Sequence, residues 1–380
     1  MDIELYLKEF PTEIIMIDDK LLANEERAIF ALRSLYSEYG YSHFKMSKFE
    51  EYDLYVKNKD FLVSDRVITF NDTNGKLLAL KPDVTLSIIK NAQGVSKTKV
   101  FYNENVYRIS GSTGQFKEIM QAGLECVGDV DISDVYEVLY LAAKSLESVN
   151  TDYVLDISHM GLLSAVLDDC STDELFKKEI TALIAKKSAH EARALCEKYS
   201  VSKDKTDDLC SLIAVCGNLC TVIPELRKLC KCDAAKNALG ELEIIADLVK
   251  DDFSDGKVRF DISLVNNMSY YDGIVFSGFL DGICEAVLSG GEYGKLLASM
   301  GKSGDAVGFA LYLDLLSGLD MECDEYDVDT VLLYDETVST KILNKRKKEI
   351  TDIGKSVFAT KLIPEKLRYR EAIDIREEKK

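Results

Sequence analysis

The chain has 380 residues, 47% of them hydrophobic, which is enough for one large domain or two ordinary ones with a substantial core. Of its net charge of −19, residues 341–380 contribute +6 (13 Lys and Arg, 7 Asp and Glu), so the first 340 residues carry −25. So acidic a body repels phosphate backbones, which argues against wide contact with nucleic acid. No apolar run approaches the roughly 20 residues that span a bilayer, and we expect a soluble protein without a signal peptide.

Ten cysteines are scattered along the chain, six of them between residues 196 and 232. Their spacing is not that of a small disulfide-bonded domain, so we expect reduced thiols in a cytoplasmic protein. The cluster is either a metal site or a set of small apolar residues on helices. The i, i+4 spacing of Cys216 and Cys220, without any Cys-x-x-Cys pair, favours packing, and we expect no metal and no cofactor. Three histidines lie in no recognisable nucleophile or metal motif: His43, His159 and His190.

Helix and strand patterns alternate through the first 160 residues. A helix over 22–40 is predicted by apolar residues on one face, early Glu25 and Glu26, and Gly40 at its end. The turn residues 71–75 between two apolar runs predict a hairpin. The other predicted elements are strands at Tyr41–Phe49, Val67–Phe70, Leu77–Leu80, Val100–Arg108, Ile119–Gly128 and Tyr153–Ile157, and helices at 83–92 and 133–149.

From about 160 to 250, Leu, Ala, Glu and Lys recur with helical spacing, which predicts a helical insertion. Further on, the pattern predicts strands at Val258–Leu264, Ile274–Phe279 and Ala286–Leu288, a turn at Gly290–Gly291, and a strand followed by a helix over Gly304–Leu316. We expect an α+β fold with a mostly antiparallel sheet flanked by helices in residues 1–320. A short C-terminal α/β segment should occupy residues 321–380.

Four segments, in order over roughly residues 20–320, resemble the histidyl type of class II aminoacyl-tRNA synthetase. Residues 27–50 resemble motif 1, which forms the dimer interface in that family. The stretch LLALKPDVTLSI (77–88) resembles the family's LALRPEGTAP, whose acid, here Asp83, contacts the amino group of histidine. Residues 100–128 resemble motif 2, and the stretches YYDGIVFSGF, SGGEYGKLL and AVGFALYLDLL resemble the histidine-binding segment and motif 3.

The departures from the family pattern concern the phosphate end of the site. Attack of a carboxylate on the α-phosphate builds negative charge, which fixed cations must stabilise. Arg108 matches the arginine of motif 2, but Asn266 stands where the family's RGLDYY segment has its arginine. Motif 3 ends GLERL in the family and YLDLL here, so Leu315 replaces a third arginine.

Motif 2 departs at two further positions, with Ser110 in place of the family's acid and Gln115 in place of its loop arginine. Neither the amide of Asn266 nor the aliphatic side chain of Leu315 replaces a guanidinium group. Since even one oxyanion donor is worth about 3 kcal/mol, the loss of two cations predicts that adenylation is abolished.

The amino-acid end keeps the residue types of the family. Gln121 and Glu125 lie four residues apart on a predicted strand, so we expect them on one face. The resemblance assigns them to the amino group of the ligand, and assigns Tyr270 and Tyr271 to the imidazole side. In the alternative interpretation, Tyr270 packs in the core, Gln121 and Glu125 are exposed, and the pocket is a relic. In the resembled family, glycines at the positions of Gly290 and Gly291 let the backbone approach the ligand, which is the alternative to a turn there. The resemblance implies these ligand-binding residues: Asp83, Thr85, Arg108, Gln121, Glu125, Tyr270, Tyr271 and Gly291.

This profile is similar to that of the ATP phosphoribosyltransferase regulatory subunits, a family of histidyl-tRNA synthetase paralogues. The resemblance implies a non-catalytic subunit that activates the short catalytic subunit in the first step of histidine biosynthesis and contributes to feedback inhibition by histidine. It also implies a homodimer through the motif 1 region within a hetero-octamer. About 60 residues follow the core, fewer than a full anticodon-binding domain, which argues against tRNA as a partner.

Two other functions remain open. A diverged histidyl-tRNA synthetase, or another adenylate-forming enzyme, is favoured by Arg108 and opposed by Asn266 and Leu315. An RNA-binding or sensor protein is favoured by the basic run at 345–348, although such a run is commonly a solvated helix face.

Overall fold

A nine-stranded sheet organises the larger part of the chain. The computed structural model describes residues 22, 24–62, 66–92, 96–109, 113–265, 270–318 and 326–376. They fall into two compact units, one comprising Leu22–Leu319 and the other holding the described residues 326–376.

The strands of the first unit form a nine-stranded and a three-stranded sheet. They are β1 (Ser42–His43), β2 (Phe49–Glu51), β3 (Thr69–Asn71), β4 (Leu77–Leu80), β5 (Thr98–Ile109), β6 (Phe116–Gly128), β7 (Tyr153–His159), β8 (Cys216–Asn218), β9 (Val258–Asp261), β10 (Ile274–Leu280), β11 (Leu288–Glu292) and β12 (Asp305–Tyr312). The large sheet has the order β1-β5-β6-β12-β11-β10-β7-β9-β8, and the small one β2-β4-β3. Only β1 with β5 and β7 with β9 pair in parallel within the large sheet, so the predicted α+β fold with a mostly antiparallel sheet is confirmed.

Helices pack on both faces of the large sheet and fill the stretch between β7 and β9. They are α1 (Asn24–Glu38), α2 (Tyr52–Lys57), α3 (Thr85–Asn91), α4 (Ile132–Val149), α5 (Met160–Cys170), α6 (Glu174–Ala185), α7 (Ala189–Lys198), α8 (Lys203–Ala214), α9 (Leu219–Leu229), α10 (Asp233–Asp252) and α11 (Gly294–Ser299). Single 3-10 turns follow α2 at Lys59–Phe61 and β12 at Leu313–Gly318. No helix in these ranges is both long and apolar enough to cross a membrane.

Helix α4 lies on one face of the large sheet and starts at a capping box. Asp131 accepts hydrogen bonds from the backbone of Ser133 and Asp134, and the Asp134 carboxylate accepts one from the backbone of Asp131. The buried face of α4 packs with alternate residues of β6 in one apolar core. The residues between them, at 121, 123 and 125, therefore face the opposite side of the sheet.

The sequence predictions for α1 and for the hairpin are confirmed. Gly40 ends α1 with a φ of 81°, a conformation that glycine adopts readily. Strands β3 and β4 pair around the predicted turn, although β3 runs two residues later than expected. The strand predicted over Tyr41–Phe49 is wrong. The chain pairs with β5 only as far as His43 and then crosses to the small sheet, where Phe49 pairs with Leu80.

The predicted turn at Gly290–Gly291 is also wrong, and the strand expected at Ala286–Leu288 begins at Leu288. Both glycines lie inside β11, which pairs with β10 on one side and β12 on the other. A Cβ at Gly291 would stand 2.7 Å from the carbonyl oxygen of Ile274. Glycine is required here because neighbouring groups occupy the space of a side chain.

The second unit is a small α/β layer. Strand β13 (Val328–Leu333) lies between β14 (Val357–Thr360) and β15 (Tyr369–Asp374) and is parallel to both. Helix α12 (Thr340–Thr351) connects β13 to β14 and starts at Ser339, whose hydroxyl accepts a hydrogen bond from the backbone of Ile342. The core is small and consists of Leu332, Val338, Leu343, Ile350 and Ile375.

Candidate functional site

A cavity of about 360 Å³ lies on the face of the large sheet opposite α4, over β6, β12 and β11. Seven of the eight residues that the sequence analysis singled out line it: Asp83, Thr85, Arg108, Gln121, Glu125, Tyr270 and Tyr271. The eighth, Gly291, lies directly behind one wall, where a Cβ would stand 2.8 Å from the Tyr271 ring. The interpretation in which Gln121 and Glu125 are exposed is wrong, because they are only 3% and 2% exposed.

The floor of the cavity follows the register of β6 and β12. Glu125 lies opposite Gly308, and four residues away along the strand Gln121 lies opposite Tyr312. Gly123 lies between them, opposite Ala310. The side chains of one strand face repeat every second residue, so these three pairs form a continuous surface.

Glycines keep this floor open. A Cβ at Gly308 would overlap the Glu125 carboxylate, and one at Gly123 would stand 2.6 Å from the Tyr102 hydroxyl oxygen. Together with Gly291, they allow large side chains to lie flat against the backbone of three adjacent strands. We refer to Gly123, Gly291 and Gly308 as the glycine floor.

Glu125 is held by two hydroxyl groups. Thr85 donates to one carboxylate oxygen at 2.8 Å, and Tyr293 donates to the other. Burial raises the pKa of Glu125 to about 8, an effect that these two hydrogen bonds only partly oppose. Burial therefore favours the neutral acid of Glu125 near pH 7.

Asp83 and Arg108 lie next to each other at the start of α3. The Asp83 carboxylate accepts a hydrogen bond of 3.0 Å from the backbone of Leu86, as an N-terminal helix cap does. Burial raises the pKa of Asp83, although this backbone bond and the Arg108 charge lower it. The Nε of Arg108 donates to the carbonyl oxygen of Pro82 at 3.0 Å, which fixes the guanidinium group at the cavity edge.

Gln121 presents a donor that nothing uses. Its Nε2 is buried and has no hydrogen-bond partner among the described residues. Buried amide groups are nearly always paired, so this atom calls for an acceptor on a ligand or a water molecule.

Tyrosines form the wall. The Tyr270 and Tyr271 rings lie 4.6 Å apart, and Tyr270 also contacts Tyr293 at 5.7 Å and Phe61 at 6.2 Å between ring centres. The Tyr271 hydroxyl is hydrogen-bonded to Ser289. Such a wall offers ring faces to a cationic or aromatic group.

Several residues of the site were not predicted from the sequence. Tyr293 was quoted within SGGEYGKLL, and Tyr312 is the first letter of YLDLL where the family has glycine. Each could have been found from that position, but the contact of Tyr293 with Glu125 joins residues 168 positions apart. The others are Tyr102 and Ser289, which carry no comparable signal.

Two positions where the family has arginine, those of Leu315 and Gln115, lie among the described residues, and neither lines the cavity. Leu315 lies in the 3-10 turn after β12 and packs against the main apolar core. Gln115 is exposed at the start of β6, and both Asn266 and Ser110 lie outside the described residues. Chemically, the cavity offers carboxyl groups for an ammonium, an arginine for a carboxylate and a tyrosine wall for a side chain, which suits a free amino acid.

The other candidate residues lie apart. His43 stacks on Phe101 at 5.1 Å, His190 is exposed, and buried His159 is 3.0 Å from the Glu241 carboxylate. Within the described ranges, no three His, Cys, Asp or Glu side chains gather as ligands of a metal would. In the cysteine cluster, the buried thiols pack between helices: Cys196, Cys210 and Cys230.

Comparisons with known proteins agree on one family. The family model described as histidyl-tRNA synthetase matches residues 18–316. The ATP phosphoribosyltransferase regulatory subunit of Oceanobacillus iheyensis is 27% identical over 290 residues, 75% of this chain and 71% of the relative.

Two solved structures share the fold. One, from Bacillus halodurans, is described as an ATP phosphoribosyltransferase regulatory subunit/histidyl-tRNA synthetase. It has a TM-score of 0.75, 24% identity, and covers 92% of this chain and 93% of its own. A chain of the ATP phosphoribosyl transferase complex of Thermotoga maritima has a TM-score of 0.59, 21% identity, and covers 75% and 96%. The names of these relatives confirm the expected likeness to regulatory subunits, and the extent of the family match shows that this chain belongs to the histidyl-tRNA synthetase family.

Proposed function

We propose that this chain is a non-catalytic regulatory subunit of ATP phosphoribosyltransferase. It associates with the short catalytic subunit, raises its activity in the first step of histidine biosynthesis, and contributes to feedback inhibition by histidine. The names of the curated relatives and of the Thermotoga maritima complex support the assignment.

One observation carries the proposal. The groups suited to an amino acid, such as Glu125 and Gln121, converge on one cavity, whereas the arginine position of motif 3 holds Leu315, packed against the apolar core. A site of this kind holds an amino acid but lacks the charges that stabilise attack on a phosphate.

Feedback inhibition by histidine follows from the thermodynamic linkage between histidine binding and the state of the complex. Histidine inhibits the complex only if it binds the inhibited state more tightly than the active one. The eight residues implied by the resemblance bind histidine in this cavity. The ammonium lies near Asp83, Gln121 and Glu125, and the imidazole lies against Tyr270 and Tyr271.

Two measurements test the association. The short catalytic subunit is purified alone and together with this chain, and phosphoribosyl transfer is assayed with and without histidine. We expect co-purification, a higher rate with this chain present, and inhibition that requires it. Absence of both association and any change in rate would reject the proposal.

Calorimetric titration then locates the histidine site. We expect Glu125→Ala and Tyr270→Ala to weaken histidine binding, with and without the partner, while Glu225→Ala on the exposed surface of α9 leaves it unchanged. Equal binding by all variants would move the effector site to the subunit interface.

The assembly belongs to the same proposal. A homodimer forms through residues 27–50 and combines with catalytic subunits into a cytoplasmic hetero-octamer that binds no tRNA. Residues 1–320 form the synthetase-like domain, with a helical insertion at about 160–250, and residues 321–380 form a separate C-terminal segment. Native mass spectrometry of the purified complex gives its stoichiometry, and a monomeric chain would contradict the homodimer.

A diverged adenylate-forming enzyme is the second candidate. The position of Arg108 at the cavity edge, where a ligand carboxylate would lie, favours it. Histidine-dependent exchange of pyrophosphate into ATP is the test, and the regulatory proposal predicts no exchange.

A further inference from the structure

Tyr312 closes one end of the cavity. It is the last residue of β12, directly opposite Gln121, and its backbone N–H donates to the carbonyl oxygen of Val287 at 2.8 Å. Its half-buried side chain lines the cavity and lies close enough to Tyr102 and Tyr271 to raise the pKa of both. The sheet therefore fixes where this ring stands.

The position is unusual because a small residue stands there in the motif that this segment resembles. Against GLERL, this chain reads YLDLL, so a tyrosine replaces the first glycine three residues before Leu315. Glycine would leave the floor open at that point, whereas a tyrosine side chain occupies roughly 150–250 Å² of surface. The replacement places a large side chain at the end of β12, the strand whose residues Gly308 and Ala310 also line the cavity.

The length of the strand surface between Glu125 and Gln121 limits the size of the ligand. From Glu125, opposite Gly308, to Gln121, opposite Tyr312, there are four residues of extended strand, about 13 Å at about 3.3 Å each. The carboxyl groups, the amide donor of Gln121 and the tyrosine wall all lie within this length. Tyr312 closes the Gln121 end of this stretch, so a ligand that fills the stretch has no room for a further group extending past Tyr312.

The charged residues that line the cavity also favour a ligand with a single carboxylate. Among the described residues that line the cavity, Arg108 is the basic one, and Asp83 and Glu125 carry carboxyl groups. The Arg108 Nε is already bonded to Pro82, and the guanidinium charge lies next to Asp83. One cation whose charge is partly balanced by a neighbouring carboxyl group suits a single ligand carboxylate better than a chain of phosphates.

We propose that Tyr312 is a specificity-determining residue that limits the ligand of this cavity to a free amino acid and excludes one whose carboxyl group is joined to a nucleotide. The inference rests on the proposed amino-acid cavity and deepens it. The ring acts by occupying space, so its hydroxyl group is not required.

The test compares two ligands on the full chain by calorimetry: L-histidine and the non-hydrolysable sulfamoyl analogue of histidyl-adenylate. The proteins are the wild type, Tyr312→Gly, Tyr312→Ala as a second small variant with better strand stability, and Tyr312→Phe, which keeps the ring. Thermal unfolding shows that each variant is folded, and the readout is the ratio of the two dissociation constants.

We expect the wild type and Tyr312→Phe to prefer histidine by at least about tenfold, about 1.4 kcal/mol. In Tyr312→Gly and Tyr312→Ala the ratio should move at least about tenfold toward the analogue. Wild-type protein that binds the analogue as tightly as histidine overturns the inference, as does an unchanged ratio in both folded small variants, and the amino-acid cavity survives either result. If no protein binds histidine, the cavity assignment itself fails, and the inference fails with it.

Discussion

Replacing Glu125 with glutamine should flatten the pH dependence of stability in the neutral range. The pKa of Glu125 is about 8 in the folded chain, against an ordinary value of 4.5. Between these values the folded state holds a proton that the unfolded state has released, so the free energy of unfolding falls as pH rises. The slope is about 1.4 kcal/mol per pH unit, and the whole window amounts to about 4–5 kcal/mol.

The pH range of the measurement separates Glu125 from a second buried acid, Glu292. Burial also raises the pKa of Glu292, to about 7, so Glu292 contributes to the same fall only at lower pH. Between pH 7 and 8 the slope belongs mainly to Glu125. Glutamine keeps the shape and the contacts with Thr85 and Tyr293 but cannot ionise, which removes that part of the slope.

Urea unfolding at half-unit steps from pH 5 to 8.5 gives the free energy of unfolding for each protein. We expect Glu125→Gln to lose the slope above pH 7, and Glu225→Gln, which changes an exposed side chain, to follow the wild type. A variant that keeps the wild-type slope between pH 7 and 8 would refute the assignment of a buried neutral acid to this position.

Two further predictions concern packing and charge. Gly308→Ala places a Cβ against the Glu125 carboxylate, so it should lower the free energy of unfolding by about 1–3 kcal/mol and weaken histidine binding. Gly240→Ala, in open space on α10, should raise the free energy of unfolding by up to about 1 kcal/mol. Thermal unfolding measures both. Equal effects of the two would contradict the tight approach at Gly308. Lys81 is fully buried and paired with Glu104, so Lys81→Met should cost about 3–5 kcal/mol in urea unfolding by leaving that carboxylate without its partner. Adding Glu104→Gln should recover most of the loss, and a double variant no more stable than the single one would refute this reasoning.

Local patterns were sufficient for much of the fold. The four-residue spacing of Gln121 and Glu125 predicted that both share one face of a strand, and both are buried on the cavity side. The apolar period and Gly40 predicted α1 and its end. These features depend on neighbours in the chain, which a sequence displays directly.

Features set by distant contacts were missed. Gly290 and Gly291 predicted either a turn or, from the resemblance, a close approach of the backbone to a ligand, whereas in the structure they permit close approach between strands of the sheet. Phe276 and Phe309, which crowd Gly290 from the two adjacent strands, decide between these uses, and nothing near the glycine pair in sequence indicates them. The link between Tyr293 and Glu125 was missed for the same reason.

The glycine floor links the proposed ligand to the stability of the sheet. A glycine in a strand offers no cross-strand side-chain pair, and three of them lie together on the cavity side of β6, β12 and β11. A ligand at about 100 times its Kd would add about 2.7 kcal/mol to the free energy of unfolding. Since about 1–2 kcal/mol changes cellular abundance several-fold, we expect the ligand concentration to affect how much of this protein persists as well as what it does.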